Sequence, residues 1–193
     1  MGHSKEVWKP GNMLYPVPAV MVSCGRPGET PNIITVAWAG TVCSDPVMLS
    51  VSLRKERFSY SIIKDTEEFV VNLVTGDLAR AADYCGVRSG RDVDKFRDMK
   101  LTPLKSAVIQ APGIEESPVN LECRVRRIME LGTHDMFLAE VVSVTVDKDQ
   151  IDDRGKFHLN DTGLVAYSHG EYFLLGEKLG RFGYSVQKKG RRR

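Results

Sequence analysis

The sequence of 193 residues lacks the features that define several large protein classes. No apolar run approaches the roughly 20 residues that a transmembrane helix requires, so we expect no association with a membrane. The first residues contain no apolar stretch of the kind that a secretory signal needs, which favours a cytoplasmic protein. The 27 Lys and Arg residues nearly balance the 25 Asp and Glu residues, and the formal net charge of +2 argues against a dedicated nucleic-acid binder.

Closely spaced cysteines and the common catalytic motifs are also missing. The four cysteines, Cys24, Cys43, Cys85 and Cys123, lie far apart and form no CxxC pair, so we expect small buried residues or unreactive thiols. The four histidines show no metal-ligand spacing. The sequence contains no GxSxG, HExxH, Walker A or GxGxxG motif. We therefore predict no metal site and no catalytic side chain; in an enzyme of this kind a bound cofactor would supply the reactivity.

Short apolar runs rich in β-branched residues recur along the chain and predict a mostly β fold. We expect strands over residues 17–24, 33–39, 47–53 and 69–74. The turn cluster GRPGETPN predicts that the first two strands form a hairpin with a long loop. A second hairpin is predicted from two longer strands, 121–131 and 136–146, on either side of a Gly-Thr-His-Asp turn.

A few short helices interrupt these strands. We expect one over residues 58–65 and another over 78–85, with Asp77 as its N-cap and Gly86 just past its C-terminus. The charged segment 88–105 lacks strand periodicity and is predicted to form a surface excursion with a helix over 93–99. Together these elements predict a barrel whose helices plug or flank it.

Residues 32–72 carry features that suit a phosphate group. A basic turn, Arg54-Lys55-Glu56-Arg57, leads into a helix that begins with Phe58-Ser59-Tyr60. Guanidinium groups, hydroxyls and the N–H groups of a helix start are the donors that a phosphate monoester needs. From spacing alone, a solvent-exposed turn and a Ser59 that only caps its helix remain the simpler interpretation.

The chain resembles the flavin reductase-like proteins of the FMN-binding split barrel, and in particular their flavoredoxin-type branch. The similarity runs through YPVPAVMV (15–22), NIITVAWAGTVCSDPVMLSVSL (32–53), the turn at 54–60 and EEFVVNL (67–73), then DKF (94–96), GTH (132–134) and GEKLG (176–180). It implies a mostly β, Greek-key-like split barrel with a few short flanking helices. We assign this domain to residues 15–185, between an N-terminal extension (1–14) and a basic disordered tail (186–193).

The resemblance also implies which residues bind the cofactor FMN. Asn32 and His134 match positions that contact the flavin, and their side chains can hydrogen-bond its pyrimidine edge. Trp38 and, more loosely, Tyr167 match aromatic positions beside the ring system. The complete set that the resemblance implies is Asn32, Trp38, Ala39, Ser52, Leu53, Arg54, Ser59, Lys95, His134 and Tyr167.

The function that the resemblance implies is a cytoplasmic homodimer with FMN at the subunit interface. Its flavin would carry electrons from a reduced nicotinamide or a redox protein to a second flavin, oxygen or a protein acceptor. A non-catalytic flavin-binding electron carrier is the alternative, favoured by the absence of a recognisable nicotinamide-binding motif. An OB-like nucleic-acid-binding barrel fits the β content, but the balanced charge and the lack of aromatics interleaved with basic residues oppose it.

Overall fold

The structure is a computed structural model that describes residues 4–186 and contains twelve strands in that range. The strands are β1 (Val17–Pro18), β2 (Val20–Cys24), β3 (Asn32–Val36), β4 (Ala39–Ser44), β5 (Val47–Leu53), β6 (Glu68–Leu73), β7 (Pro103–Leu104), β8 (Gly113–Ile114), β9 (Val119–Glu130), β10 (Asp135–Val146), β11 (Val165–Ser168) and β12 (Glu171–Leu174). The α-helices are α1 (Phe58–Thr66), α2 (Ala79–Val87) and α3 (Lys95–Asp98). Short 3-10 turns lie at Lys148–Gln150, Leu159–Asp161 and Tyr184–Val186.

Seven strands form one antiparallel sheet in the order β3-β2-β6-β9-β10-β5-β4. Its two edge strands, β3 and β4, follow each other in sequence and are joined only by Ala37 and Trp38. Because so short a connection cannot cross a flat seven-stranded sheet, the sheet must curl until its edges approach. A second sheet has the order β1-β11-β12, and β7 pairs with β8.

Two large apolar cores cover the two faces of the sheet, and a third, small cluster contains Val70, Ile109 and Ala111. The first fills the concave side and includes Val51, Ile62, Phe69 and Phe137. The second lies between the sheet and helices α2 and α3. Every residue of β2 is buried, because the strand contributes to both cores. In the described range no helix is long and apolar enough to cross a membrane.

Both predicted hairpins are confirmed, β2 with β3 and β9 with β10. The single strand predicted over 17–24 is wrong: β1 pairs with β11, whereas β2 pairs with β3 and β6. Pro18 closes β1, and a proline cannot donate the hydrogen bond that a continuing strand would need. The strand predicted over 33–39 ends at Val36, where the chain turns into β4.

The helices lie close to their predicted positions, but their ends differ. Asp77 is not an N-cap; α2 begins at Ala79 without a side-chain cap. Gly86 lies inside α2, and a Cβ there would approach the Thr35 side chain to 3.3 Å, so this glycine lets the helix pack closely on β3. Helix α3 is shorter than predicted and is capped by Asp94, which accepts from the Arg97 N–H at 3.1 Å. The basic tail after Val186 lies outside the described residues.

Candidate functional site

Two adjoining cavities lie where β3, β5 and the start of α1 meet. The first, which we call the cation cavity, has a volume of about 160 Å³. Its lining includes Asn32, Arg57, Ser59, Cys85, Arg88, Gly90, Arg91 and Lys95. The second, the edge cavity, has a volume of about 150 Å³ and is lined by Ile34 to Trp38, Ser52, Leu53, Arg54, Arg57 and His134. Ile34 and Arg57 line both cavities, so one elongated ligand could occupy the two together.

Four cationic side chains converge on the cation cavity: Arg57, Arg88, Arg91 and Lys95. Between residues 4 and 186, no carboxylate lies within 4.0 Å of any of the four. Backbone oxygens hold three of them: Arg57 donates to Gly86 at 2.9 Å, Arg91 donates to Glu56 at 3.1 Å, and Lys95 donates to two carbonyls. Guanidinium and ammonium groups without carboxylate partners make a site for an anion, and a phosphate fits their donor geometry.

Lys95 is the buried member of this cationic set. Its Nζ donates to the carbonyl oxygens of Ile33 at 2.6 Å and Cys85 at 2.8 Å. An ammonium group has three N–H donors, so one remains for a ligand in the cavity. Burial lowers the pKa of Lys95 to about 8; the Cys85 thiol opposes this effect, and the charge of Arg57 reinforces it.

The start of α1 forms another wall of the cation cavity. Ser59 is buried and does not cap the helix; its Oγ accepts from the Asn32 Nδ2 at 2.7 Å. This bond leaves the hydroxyl hydrogen of Ser59 to donate either to the buried Cys24 thiol or to an acceptor in the cavity. The loop 88–91 covers this pair closely, since a Cβ on Gly90 would lie 2.1 Å from the Asn32 Oδ1.

The edge cavity combines backbone polar groups with two ring side chains. The Ser52 N–H donates to the Trp38 carbonyl at 2.9 Å, which joins β5 to the connection between β3 and β4. His134 lies half-buried on the β9–β10 turn, and its Nδ1 is 2.9 Å from the Thr133 Oγ1. These groups can bind the polar rim of a flat ring, and Trp38 offers it an apolar surface.

A buried carboxylate that was not predicted from the sequence anchors the turn that carries His134. Asp135 is 1% exposed, and its Oδ2 accepts from the Tyr60 hydroxyl at 2.6 Å. The Lys55 Nζ lies 3.5 Å from the Asp135 Oδ1. The bond to Asp135 raises the pKa of Tyr60 to about 12. These contacts fix the His134 turn against α1 and against the 54–57 loop.

The structure gathers most of the predicted site residues around the two cavities. The cation cavity has Asn32, Ser59 and Lys95, and the edge cavity has Trp38, Ser52, Leu53, Arg54 and His134. Ala39 and Tyr167 line neither: Ala39 pairs with Val51, and Tyr167 packs at 6.3 Å against Tyr15, whose ring lies 6.0 Å from Trp38. Arg57 was not among the predicted site residues, although the basic turn before α1 was a signal for it.

The family model for the flavin reductase like domain matches residues 12–175. The chain belongs to this family. Among solved structures, flavoredoxin of Desulfovibrio vulgaris (Miyazaki F) is 31% identical with a TM-score of 0.87, over 95% of this chain and all of that chain. An uncharacterized protein of Archaeoglobus fulgidus is 34% identical over 68% of this chain and 73% of its own length. An FMN reductase (NADH) of Serratia proteamaculans is 24% identical over 64% of this chain and 75% of its own length.

These comparisons confirm the predicted fold and the flavin reductase-like family. The curled sheet and few helices correspond to the split barrel of the family. A flavin cofactor has the two chemical parts that the adjoining cavities suit: a phosphate for the cation cavity and a flat ring with a polar rim for the edge cavity. The described residues therefore fit the cofactor class of the family.

Proposed function

We propose that this protein is a homodimeric FMN flavoprotein. In this proposal it carries electrons from a reduced nicotinamide to a second flavin, oxygen or a protein acceptor. The observation that supports it most is the group of four cationic side chains, without carboxylate partners in the described range, beside a cavity with polar backbone groups and Trp38. The FMN reductase of Serratia, similar over most of its length, supports both the cofactor and the donor class.

The phosphate of FMN belongs in the cation cavity. Arg57, Arg88 and Arg91 offset its negative charge, and the third N–H of Lys95 donates to it. The Ser59 hydroxyl adds a donor beside the N-terminus of α1, where the partial positive charge of the helix also favours an anion.

The edge cavity takes the ring system. Backbone groups between Ile34 and Trp38 and between Ser52 and Arg54 bind its polar rim, and His134 adds an imidazole at the same cavity. FMN supplies the two-electron redox chemistry when it is bound. The chain contributes binding, orientation and the charges around the ring, and no side chain is assigned a proton-transfer step.

The proposal is tested by titrating flavin-free protein with FMN and with riboflavin, which lacks the phosphate. We expect one FMN per chain. Arg88→Gln should weaken FMN binding at least tenfold and leave riboflavin binding unchanged, because Arg88 lines the cation cavity and not the edge cavity, and one charge-assisted hydrogen bond contributes about 1.5–3 kcal/mol. Arg126→Gln is the matched control, since Arg126 pairs with Glu140 away from both cavities. Equal FMN affinity in the two variants contradicts the phosphate assignment.

A flavin-binding electron carrier is the second candidate function, favoured by the structural match to flavoredoxin. Rapid anaerobic mixing separates the two functions. An NAD(P)H-dependent reductase bleaches its flavin absorbance within seconds of mixing with NADH or NADPH. A carrier is reduced only by a reduced redox protein. Slow bleaching by both nicotinamides together with fast bleaching by reduced ferredoxin would favour the carrier.

A further inference from the structure

The cation cavity has a buried inner end and an exposed mouth. The inner end is lined by buried polar side chains, those of Asn32, Ser59 and Lys95. The mouth is lined by exposed charged side chains, those of Glu56, Arg88 and Arg91. A phosphate that reaches the donors of the inner end therefore lies beneath the side chains of the mouth.

The Arg91 side chain bridges this mouth. It extends from the loop 88–91 to the turn before α1, where its Nη1 donates to the Glu56 carbonyl oxygen at 3.1 Å. Its guanidinium carbon lies 5.5 Å from the centre of the Phe58 ring, within the range of a cation–π contact. We call this side chain, together with these two contacts, the Arg91 strap. Because the loop and the turn are opposite walls of the mouth, the strap joins them.

The loop that carries the strap is held in place. The Ser89 Oγ accepts from the Arg91 N–H at 3.2 Å, and the Ser89 carbonyl oxygen accepts from the Asp92 N–H at 3.1 Å. On the side facing α1, Gly90 lies so close to Asn32 and Phe58 that a Cβ would overlap both side chains. The loop is therefore packed against α1 on one side, and the strap limits its movement away from α1.

The cation cavity has room for a phosphate group and little more. Its volume of about 160 Å³ equals that of roughly five water molecules in the liquid. Pockets that enclose drug-sized ligands measure roughly 300–1,000 Å³. FMN ends at its phosphate, whereas in FAD the same phosphate continues through a second phosphate to adenosine. That continuation would have to leave through the mouth, where the strap lies.

The charges of the site also favour a terminal phosphate. A phosphate monoester carries a charge of roughly −1.5 to −2 at pH 7 and offers three strong acceptor oxygens to the cations of the cavity. Each phosphate of a pyrophosphate carries a smaller charge and has fewer free oxygens. The second phosphate of FAD would also lie at the mouth, which the Glu56 carboxylate lines, and like charges repel each other.

We propose that the Arg91 strap makes this site selective for FMN over FAD. This selectivity rests on the FMN function proposed above, and Arg91 is the residue that determines the choice of flavin. The strap closes the mouth over a terminal phosphate, and the same closure blocks the path of a pyrophosphate. FAD can then bind only through its ring system, with its phosphates outside the cation cavity.

The test is a titration of flavin-free protein with riboflavin, FMN and FAD, the last purified from traces of FMN by chromatography. We expect the wild type to bind FMN at least 100-fold more tightly than FAD, and FAD about as tightly as riboflavin. Arg91→Ala should bind FMN at least tenfold more weakly and FAD at least tenfold more tightly than the wild type. The gain for FAD identifies the strap, because the loss of a positive charge alone weakens the binding of any phosphate.

Arg88→Ala is the matched control. Arg88 is an exposed arginine of the same loop and the same cavity, so this variant removes an equal charge and leaves the strap in place. It should weaken FMN binding and bind FAD no more tightly than the wild type does. Circular dichroism and urea unfolding check that both variants keep the fold, and the comparison of the three flavins on the wild type requires no variant.

The other outcomes are distinguishable. A wild type that binds FAD as tightly as FMN overturns the selectivity and leaves the proposed flavin function standing. A folded Arg91→Ala with wild-type FAD affinity overturns the role of the strap. An equal gain in FAD affinity in Arg88→Ala also overturns it, since the effect would then follow from charge. A folded wild type that binds none of the three flavins contradicts the proposed function instead.

Discussion

At the residue scale, His134 offers a test of how the site influences the flavin. Its imidazole lines the edge cavity and is held by the Thr133 hydroxyl and by the anchored turn that ends at Asp135. An N–H donor at the ring stabilises the negative charge that the ring gains on reduction, so it raises the reduction potential. We predict that His134→Ala lowers the potential by about 10–30 mV, the equivalent of one neutral hydrogen bond in a two-electron couple.

The measurement for His134 is a reductive titration against a reference dye. Thr133→Val is the control, because it removes the hydroxyl that orients the imidazole and keeps the imidazole itself. The reduction potential of Thr133→Val should lie between those of the wild type and His134→Ala. An unchanged potential in His134→Ala would leave this histidine as a turn residue without influence on the flavin.

The lowered pKa of Lys95 predicts that FMN binding depends on pH. In flavin-free protein its pKa is lowered to about 8, so the side chain loses its charge as the pH rises through that value. The phosphate of FMN stays doubly charged above pH 7. FMN affinity should therefore fall about tenfold between pH 7 and pH 9, whereas riboflavin affinity should stay constant. Arg57, Cys24 and Cys85 are the titratable or charged groups that act on Lys95, and both thiols keep their protons there because burial raises their pKa.

Lys95→Met separates this effect from other ionisations. The variant should bind FMN about 10-fold to 150-fold more weakly at pH 7, the loss of one charge-assisted hydrogen bond, and should lose the pH dependence. The free energy of unfolding changes with pH in the opposite direction to the FMN affinity. Because the unfolded chain keeps the ordinary lysine pKa of 10.5, the free energy of unfolding of flavin-free protein should rise between pH 8 and pH 10.5. A persistent pH dependence in Lys95→Met contradicts the assignment.

The residues of the site could be predicted from the sequence only in part. The family pattern located Asn32, Lys95 and His134, but it gave no indication that Lys95 is held by two backbone carbonyls. The Tyr60–Asp135 pair was also beyond reach, because its partners are 75 positions apart and neither belongs to a local motif. Long-range polar contacts of this kind depend on the register of the folded sheet.

At the element scale, the loop 88–91 and helix α1 meet at Gly90. A Cβ at this position would lie 2.1 Å from the Asn32 Oδ1 and 2.7 Å from the Phe58 ring, so Gly90→Ala must displace the loop. Because Arg88 and Arg91 lie on the same loop, we predict at least tenfold weaker FMN binding with the fold retained. Gly176→Ala is the control, since a Cβ there meets nothing within 4 Å. Wild-type FMN affinity in Gly90→Ala would show that the loop does not shape the phosphate site.

Local signals predicted the elements that depend on neighbouring residues. The turn clusters before β3 and before β10 marked both hairpins correctly. The hairpin of β11 and β12 was missed because its strands have only four residues each, although its turn residues His169 and Gly170 both adopt positive φ angles, of 48° and 90°. The break between β1 and β2 depends on pairing with the distant β11, which no local pattern encodes.

At the scale of the whole molecule, the mostly β character and a barrel were predicted from the pattern of the elements, whereas the strand order that closes the sheet was not. The order β3-β2-β6-β9-β10-β5-β4 places consecutive strands β3 and β4 at opposite edges. Hydrophobic alternation indicates which face of a strand is buried but not which strand is its neighbour. Only the resemblance to a known family supplied the split barrel before the structure did.

The whole molecule also carries four cysteines, and their placement predicts that redox chemistry does not involve them. All four are free; Cys24, Cys85 and Cys123 are buried. Burial raises the pKa of these three thiols to about 12, 11 and 12, so none forms the reactive thiolate at neutral pH. We expect a variant with Ala at the three buried positions and Ser at Cys43 to keep its rate of flavin reduction within about threefold when it is saturated with FMN. The substitutions should instead lower the free energy of unfolding, measured with urea, by about 1 kcal/mol for each buried thiol. Loss of turnover in a folded, FMN-loaded variant would instead establish a thiol relay, and Cys85, which lines the cation cavity, would be the first position to restore.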